Sequence, residues 1–176
     1  MEFDLAPTLS LSTGSFCAIV APLEMMGAAL NNTCAVRKFL FLYVSGNYSR
    51  LLAGINRRSS DIDVQRAFTA FQLLTILRSA HHTVIFVEHD PALYEEAGPA
   101  VTVRSSQALK DAATDSLVIL YAPNHDPTFD LLAKRADRVF HYGTHEPLHR
   151  ARANPRPVSA RRLRTHSTGQ TTLEGF

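Results

Sequence analysis

Five short apolar runs without polar alternation constrain this chain more than any other feature. They are residues 16–21 (FCAIVA), 39–44 (FLFLYV), 83–87 (TVIFV), 117–122 (LVILYA) and the shorter 138–142 (RVFHY). A strand with one wet face alternates apolar and polar residues, whereas an unalternated run is covered on both faces, as in parallel sheets. Turn formers bound them: Thr13-Gly14-Ser15 before the first, Ser45-Gly46-Asn47 after the second, Pro123 after the fourth and Gly143 after the fifth. Helical patterns fill the intervals. The longest is expected over 61–80, where Val64, Ala67, Phe68, Phe71 and Leu74 recur at helical spacing and Leu73, Ile76 and Leu77 widen the stripe. Ser59, Ser60 and Asp61 offer N-caps to it. Further helices are expected at 23–30, 91–97, 106–114 and 127–136, and a small extra strand at 101–103. Strands alternating with helices predict an α/β domain over 1–142, an open and mainly parallel sheet of about five strands with flanking helices.

Composition supports a folded body with an unlike tail. Apolar residues make up 45% of the 176, enough for a core, and charged ones only 19%. Residues 1–142 carry 12 Lys+Arg against 14 Asp+Glu, a balance of −2; residues 143–176 carry 6 Arg against 2 Glu, a balance of +4. The stretch 143–169 has almost nothing to bury and is expected to be a basic, disordered linker. Two cysteines, Cys17 and Cys34, exclude a disulfide-rich scaffold and a Cys-only zinc site. Cys17 sits in an apolar run and is expected in the core. No apolar run approaches the ~20 residues that span a bilayer, and the opening residues lack the basic flank of a signal peptide. A cytoplasmic location without membrane contact is therefore expected.

Two polar clusters fall where a parallel sheet places its chemistry, beyond the carboxyl ends of strands. Glu88-His89-Asp90 follows the third run and Asn124-His125-Asp126 the fourth. Glu88, Asp90, His125 and Asp126 are the catalytic candidates of the body, since such a set could hold a metal for phosphoester hydrolysis. The simpler expectation is that Asp90 and Asp126 cap helices that begin at Pro91 and Pro127, with His89 and His125 in polar loops. On that expectation the body holds no metal and no cofactor.

The run TVIFV ending in Glu88 resembles the Walker B strand of RecA-like and ABC-type P-loop ATPases, and the segment Ala136-Asp137-Arg138-Val139 is similar to the end of such cores. The resemblance covers roughly residues 14–142 and implies a RecA-like or Rossmann-like sheet. A Walker A loop requires G-x-x-x-x-G-K-[ST], with glycines that let the backbone wrap phosphates and a Lys that reaches them. Residues 21–29 read APLEMMGAA, with one Gly, no Lys and no hydroxyl, and with Glu24 where phosphates would lie. The only lysines are Lys38, Lys110 and Lys134. The resemblance therefore implies a degenerate phosphate loop.

In residues 170–176 (QTTLEGF), Gln170, Leu173 and Phe176 stand three apart. A 3₁₀ turn has 3.0 residues per turn, so all three project from one face. This resembles the PIP box, Q-x-x-[LIM]-x-x-F-[FY], through which replication and repair proteins dock on the sliding clamp PCNA; one aromatic stands here where the usual box has two. Arg150, Arg152, Arg156, Arg161, Arg162 and Arg164 precede it. Of these Arg161, Arg162 and Arg164 are the candidates for salt-sensitive contact with DNA phosphates or an acidic clamp surface. The expected function is that of a PCNA-binding accessory protein in DNA replication or repair, its body inactive as an ATPase rather than an enzyme. The alternatives are a metal-dependent nuclease or phosphoesterase and a recombinase-paralogue ATPase.

Overall fold

A computed structural model describes residues 2–6, 9–32, 38–55 and 62–143. Its first elements are β1 (Glu2–Ala6), β2 (Leu9–Ser12), β3 (Ser15–Val20), α1 (Leu23–Asn32), β4 (Phe41–Ser45), α2 (Arg50–Gly54), β5 (Ile62–Arg66) and α3 (Ala70–Ser79). They are followed by β6 (Val84–Glu88), a 3₁₀ turn at Pro91–Tyr94, α4 (Gly98–Ala112), β7 (Leu117–Ala122), α5 (Pro127–Ala133) and β8 (Arg138–His141). The main sheet has six strands in the order β5-β4-β6-β7-β3-β8, every pair parallel. β1 and β2 form a separate antiparallel pair.

The period-two geometry of a strand divides the apolar runs between two cores. Phe16, Ala18, Val20, Leu42, Val44, Ile85, Val87, Val118 and Leu120 face Leu73, Leu77, Val101, Leu109, Phe129 and Leu132 of α3, α4 and α5. Cys17, Ile19, Phe41, Tyr43, Phe86, Leu117, Ile119 and Tyr121 face Met26 and Leu30 of α1, Leu51 and Leu52 of α2, and Leu5, Leu9 and Leu11 of the hairpin. The four central strands are thus covered on both sides, which is why they carry no alternation. Cys17 is buried and its thiol is pushed up by that burial, so it serves as a small apolar group.

Several expectations are corrected. The helix expected over 61–80 is a strand followed by a shorter helix. Ile62 and Val64 alternate with Asp63 and Gln65 and lie half-buried at the sheet edge, a period of two rather than 3.6. Thr69 opens α3 instead: its hydroxyl accepts from Gln72 N at 3.2 Å, while Phe68 N donates to Gln72 Oε1 at 2.7 Å. Phe68 and Phe71, expected on the buried stripe, are each 56% exposed. Residues 101–103 are helical: α4 begins at Gly98 and runs through them, longer than the helix expected at 106–114, with Val101 against the core and Val103 outward. The sheet gains a sixth strand, and the β1–β2 hairpin had no counterpart in the expectation. Cys34, the caps at 59–61, the linker beyond Gly143 and the arginines of the tail lie outside the described residues.

Asp137 closes the sheet beside β8. Its Oδ2 accepts from Phe16 N at 2.8 Å, its own N donates to Phe16 O at 2.7 Å, and Lys110 of α4 donates to its Oδ1 at 2.5 Å. The Lys110 bond, then the Phe16 N–H, hold its carboxyl below the usual range. Asp137→Ala should cost about 1–3 kcal/mol, because it strands the Phe16 N–H in a fully buried residue. Lys110→Ala should cost under about 1 kcal/mol, since that pair is well exposed. Denaturant unfolding of both variants measures the difference, and equal losses would contradict this assignment.

Candidate functional site

The two polar clusters read from the sequence stand beyond the carboxyl ends of β6 and β7, beside the ends of β3, β4 and β8. The sequence explains each placement. β6 ends on Glu88, whose side chain continues the Val84–Phe86 face toward Tyr43. Tyr43 Oη donates to Glu88 Oε2 at 2.7 Å and lies 3.3 Å from Ser49 Oγ, and Ser49 in turn caps α2 by accepting from Leu52 N at 2.8 Å. Burial pushes the Glu88 carboxyl up, against the opposing hydrogen bonds of Ser49 and Tyr43. Burial and the Glu88 charge push both Tyr43 and Tyr121 up, Tyr121 to about 12. Tyr121 is also raised by Glu24, so two carboxylates act on its hydroxyl. That hydroxyl donates to Ala21 O at 3.1 Å.

Asp90 and Asp126 are helix caps. Asp90 Oδ1 accepts from Ala92 N at 3.0 Å, ahead of Pro91 at the start of the 3₁₀ turn. Asp126 Oδ1 accepts from Thr128 N at 2.8 Å and Phe129 N at 2.9 Å, ahead of Pro127 in α5. Pro supplies no N–H at the first position of either element, so each cap serves donors farther in. Asp90 also rests on Gly46: a Cβ there would come within 2.0 Å of Asp90 Oδ2 and 2.8 Å of its Cβ. Only a residue without a side chain lets the loops after β4 and β6 approach this closely.

The histidines do more than sit in polar loops. His89, its side chain 2% exposed, places Nε2 at 2.7 Å from Asp126 Oδ2. Its ring lies near Tyr94 and presents an edge contact to Phe129. The His89 N–H donates to Tyr121 O at 2.7 Å, which carries the β6–β7 ladder one residue past the strand and aims the ring across to the next loop. Burial pulls the imidazole below its ordinary value, and Asp126 offsets only part of this. Burial raises Asp126, but the N–H groups of Phe129 and Thr128 and the His89 ring outweigh it and hold that carboxyl low. A neutral ring donating from Nε2 to a carboxylate satisfies both directions. It leaves His89 Nδ1 buried and without a hydrogen-bond partner. His125 sits half-exposed with Nδ1 3.1 Å from Asp130 Oδ1 and Nε2 2.7 Å from His141 Nδ1. No spacing along the chain ties His141 to His125.

The four catalytic candidates are thus engaged separately: Glu88 by Tyr43, Asp90 by the Ala92 N–H, Asp126 by α5 and His89, and His125 by Asp130 and His141. Among the described residues no group of three or more His, Cys, Asp and Glu side chains is arranged to hold a metal ion. Gln170, Leu173 and Phe176, with Arg161, Arg162 and Arg164, lie outside the described residues. No helix among those described is long and apolar enough to cross a membrane.

The His89–Asp126 pair has a pH signature. A histidine whose folded value is depressed takes its proton more readily in the unfolded chain. Its contribution to stability is therefore complete above the ordinary value of 6.5 and is lost as pH falls below it. The free energy of unfolding should fall from pH 7 to pH 5, with His89 adding at most about 1.4 kcal/mol per pH unit. His89→Gln should lower stability at pH 7 by about 1–3 kcal/mol and flatten this slope. An unchanged slope in the variant would assign the acid sensitivity to other groups.

No protein-family profile matches the chain. It is 37% identical over 125 residues to an uncharacterized protein of Archaeoglobus fulgidus, an alignment that takes in 71% of this chain and 63% of that relative's length.

Proposed function

We propose that this chain is an accessory protein of DNA replication or repair, recruited to the sliding clamp PCNA through residues 170–176 and carrying a RecA-like body that does not hydrolyse ATP. The observation that carries the second half lies at the end of β3. In a P-loop ATPase the backbone there turns N–H groups toward phosphates, and a Lys reaches them. Here Ala21 presents a carbonyl that the Tyr121 hydroxyl occupies, and Glu24 and Glu88 both act on that hydroxyl. With Glu24 in the first turn of α1 and no Lys in residues 21–29, this is a repellent seat for a triphosphate. The strand order β8-β3-β7-β6-β4, with β7 between the strand that leads to residue 21 and the acid-ended β6, agrees with a RecA-like core. The separate engagement of Glu88, Asp90, His125 and Asp126 favours this reading over a metal-dependent nuclease or phosphoesterase.

The clamp half rests on the spacing of Gln170, Leu173 and Phe176. Leu173 and Phe176 on one face of a 3₁₀ turn would fill an apolar pocket, contributing roughly 3–5 kcal/mol before the cost of ordering the peptide. Gln170 would be a polar anchor beside them, and Arg161, Arg162 and Arg164 would add a salt-sensitive term.

Purified protein should release no phosphate from ATP above background, with or without DNA. Magnesium-dependent turnover abolished by mutation of residues 21–29 would refute the inactive body. In calorimetry against the cognate clamp, the 164–176 peptide should bind in the micromolar range, which is about −8 kcal/mol at 1 μM. Phe176→Ala or Leu173→Ala should nearly abolish binding, and Gln170→Ala should weaken it less. Equal binding by the Phe176→Ala peptide would reject the clamp assignment.

A further inference from the structure

We infer that His125 and His141 form a two-imidazole binding site for a first-row divalent ion of the zinc and copper class. The site joins the loop before α5 to the end of β8. β3 lies between β7 and β8 in the sheet, and Val20 is in register with both Ala122 and His141. His125, three residues beyond Ala122, and His141 therefore reach toward each other across the end of β3. Their facing nitrogens, His125 Nε2 and His141 Nδ1, are 2.7 Å apart, with the rings 19° from parallel and their centroids 4.5 Å apart.

The surrounding contacts prepare His125 as a ligand. The Asp130 carboxylate accepts from Nδ1 at 3.1 Å, so Nδ1 carries the proton and Nε2 the lone pair. A carboxylate behind the non-ligating nitrogen is the arrangement that orients metal-bound histidines and raises their basicity. Phe129 stands edge-on to the ring at 90°, and Asp126 fixes the loop by capping α5. Without an ion, the His125 lone pair is met by a proton on His141 Nδ1. The ion takes that proton's place: His141 shifts to its other neutral tautomer, with the proton on Nε2, and offers its Nδ1 lone pair. No net proton is released from the neutral rings. A bond of about 2.0–2.1 Å to each nitrogen asks the rings to part slightly, and both side chains are exposed enough to do so. Imidazole pairs favour zinc, copper and nickel over magnesium or calcium. With two protein ligands, water completes the shell and the ion exchanges readily. Its place is that of a clasp between α5 and β8.

The test is titration of the full chain with zinc and with copper(II) chloride, followed by calorimetry, with electron paramagnetic resonance of the copper form. The wild type should bind one ion with two imidazole nitrogens coordinated, and zinc should raise its melting temperature. His125→Ala and His141→Ala should each lose this ion or weaken it at least tenfold, with one nitrogen fewer at copper. Asp130→Asn, which keeps both ligands, should weaken binding by about tenfold. Melting curves without ion check that each variant is folded; all three positions are exposed. Absence of binding at millimolar zinc and copper would overturn the inference. So would affinity and nitrogen count unchanged in both histidine variants, which would place the ion on other histidines such as those at 145, 149 or 166.

Discussion

Both faces of the parallel sheet are covered by helices and hairpin, and everything else follows from that constraint. The four central strands, β3, β4, β6 and β7, bury both sides and leave no face for charged chemistry, so the carboxylates and histidines of those strands and their loops stand at the strand ends. At the carboxyl end this gathers Glu88, His89, Asp90, His125, Asp126 and His141 within a few loops. The same constraint explains why burial shapes their properties. Glu88 and His89 sit one residue apart where β6 leaves the core, facing opposite cores, and burial drives each toward its neutral form.

The parts of the fold visible in the sequence are those that a single local rule decides. Residues 117–122 form a strand because an unalternated apolar run of that length has few other solutions, and β7 matches it residue for residue. The Asp-Pro pairs at 90–91 and 126–127 are caps because proline lacks the N–H and the aspartate serves the next donors. The failures come where two periodicities overlap. Val64 and Ala67 can be read as part of a helical stripe only if the chain does not change direction. The Thr69-x-x-Gln72 pair, the signal that it does, is short and lies inside the apparent helix. Val101 and Val103 carry strand propensity, but α4 buries Val101 and leaves Val103 exposed, so tertiary packing overrides β-branching. In β2, Leu9 and Leu11 alternate with serines over only four residues, too brief to stand out.

The site was legible in composition and not in pairing. Both acidic-histidine clusters could be assigned to strand ends, but which side chain meets which depends on strands that neighbour in space and not in sequence. His89 reaches Asp126 because β6 and β7 are adjacent, with residue 89 bonding to Tyr121. His125 reaches His141 because β3 separates β7 from β8 by one strand's width. Neither fact exists until the strand order does. The carbonyl of Ala21 and the hydroxyl of Tyr121, 100 residues apart, meet for the same reason.

The contact between Asp90 and Gly46 makes the loops of this edge mechanically dependent on one another. Loops at the ends of strands ordinarily fluctuate one at a time. Here the loop after β4 cannot rise without uncovering Asp90, which anchors the 3₁₀ turn. The neighbouring residue, His89, is bonded to Asp126, which anchors α5. Three loops are thereby interlocked by one steric contact and one hydrogen bond. They form a single stiff rim in which a strain applied at residue 46 is felt at the first turn of α5.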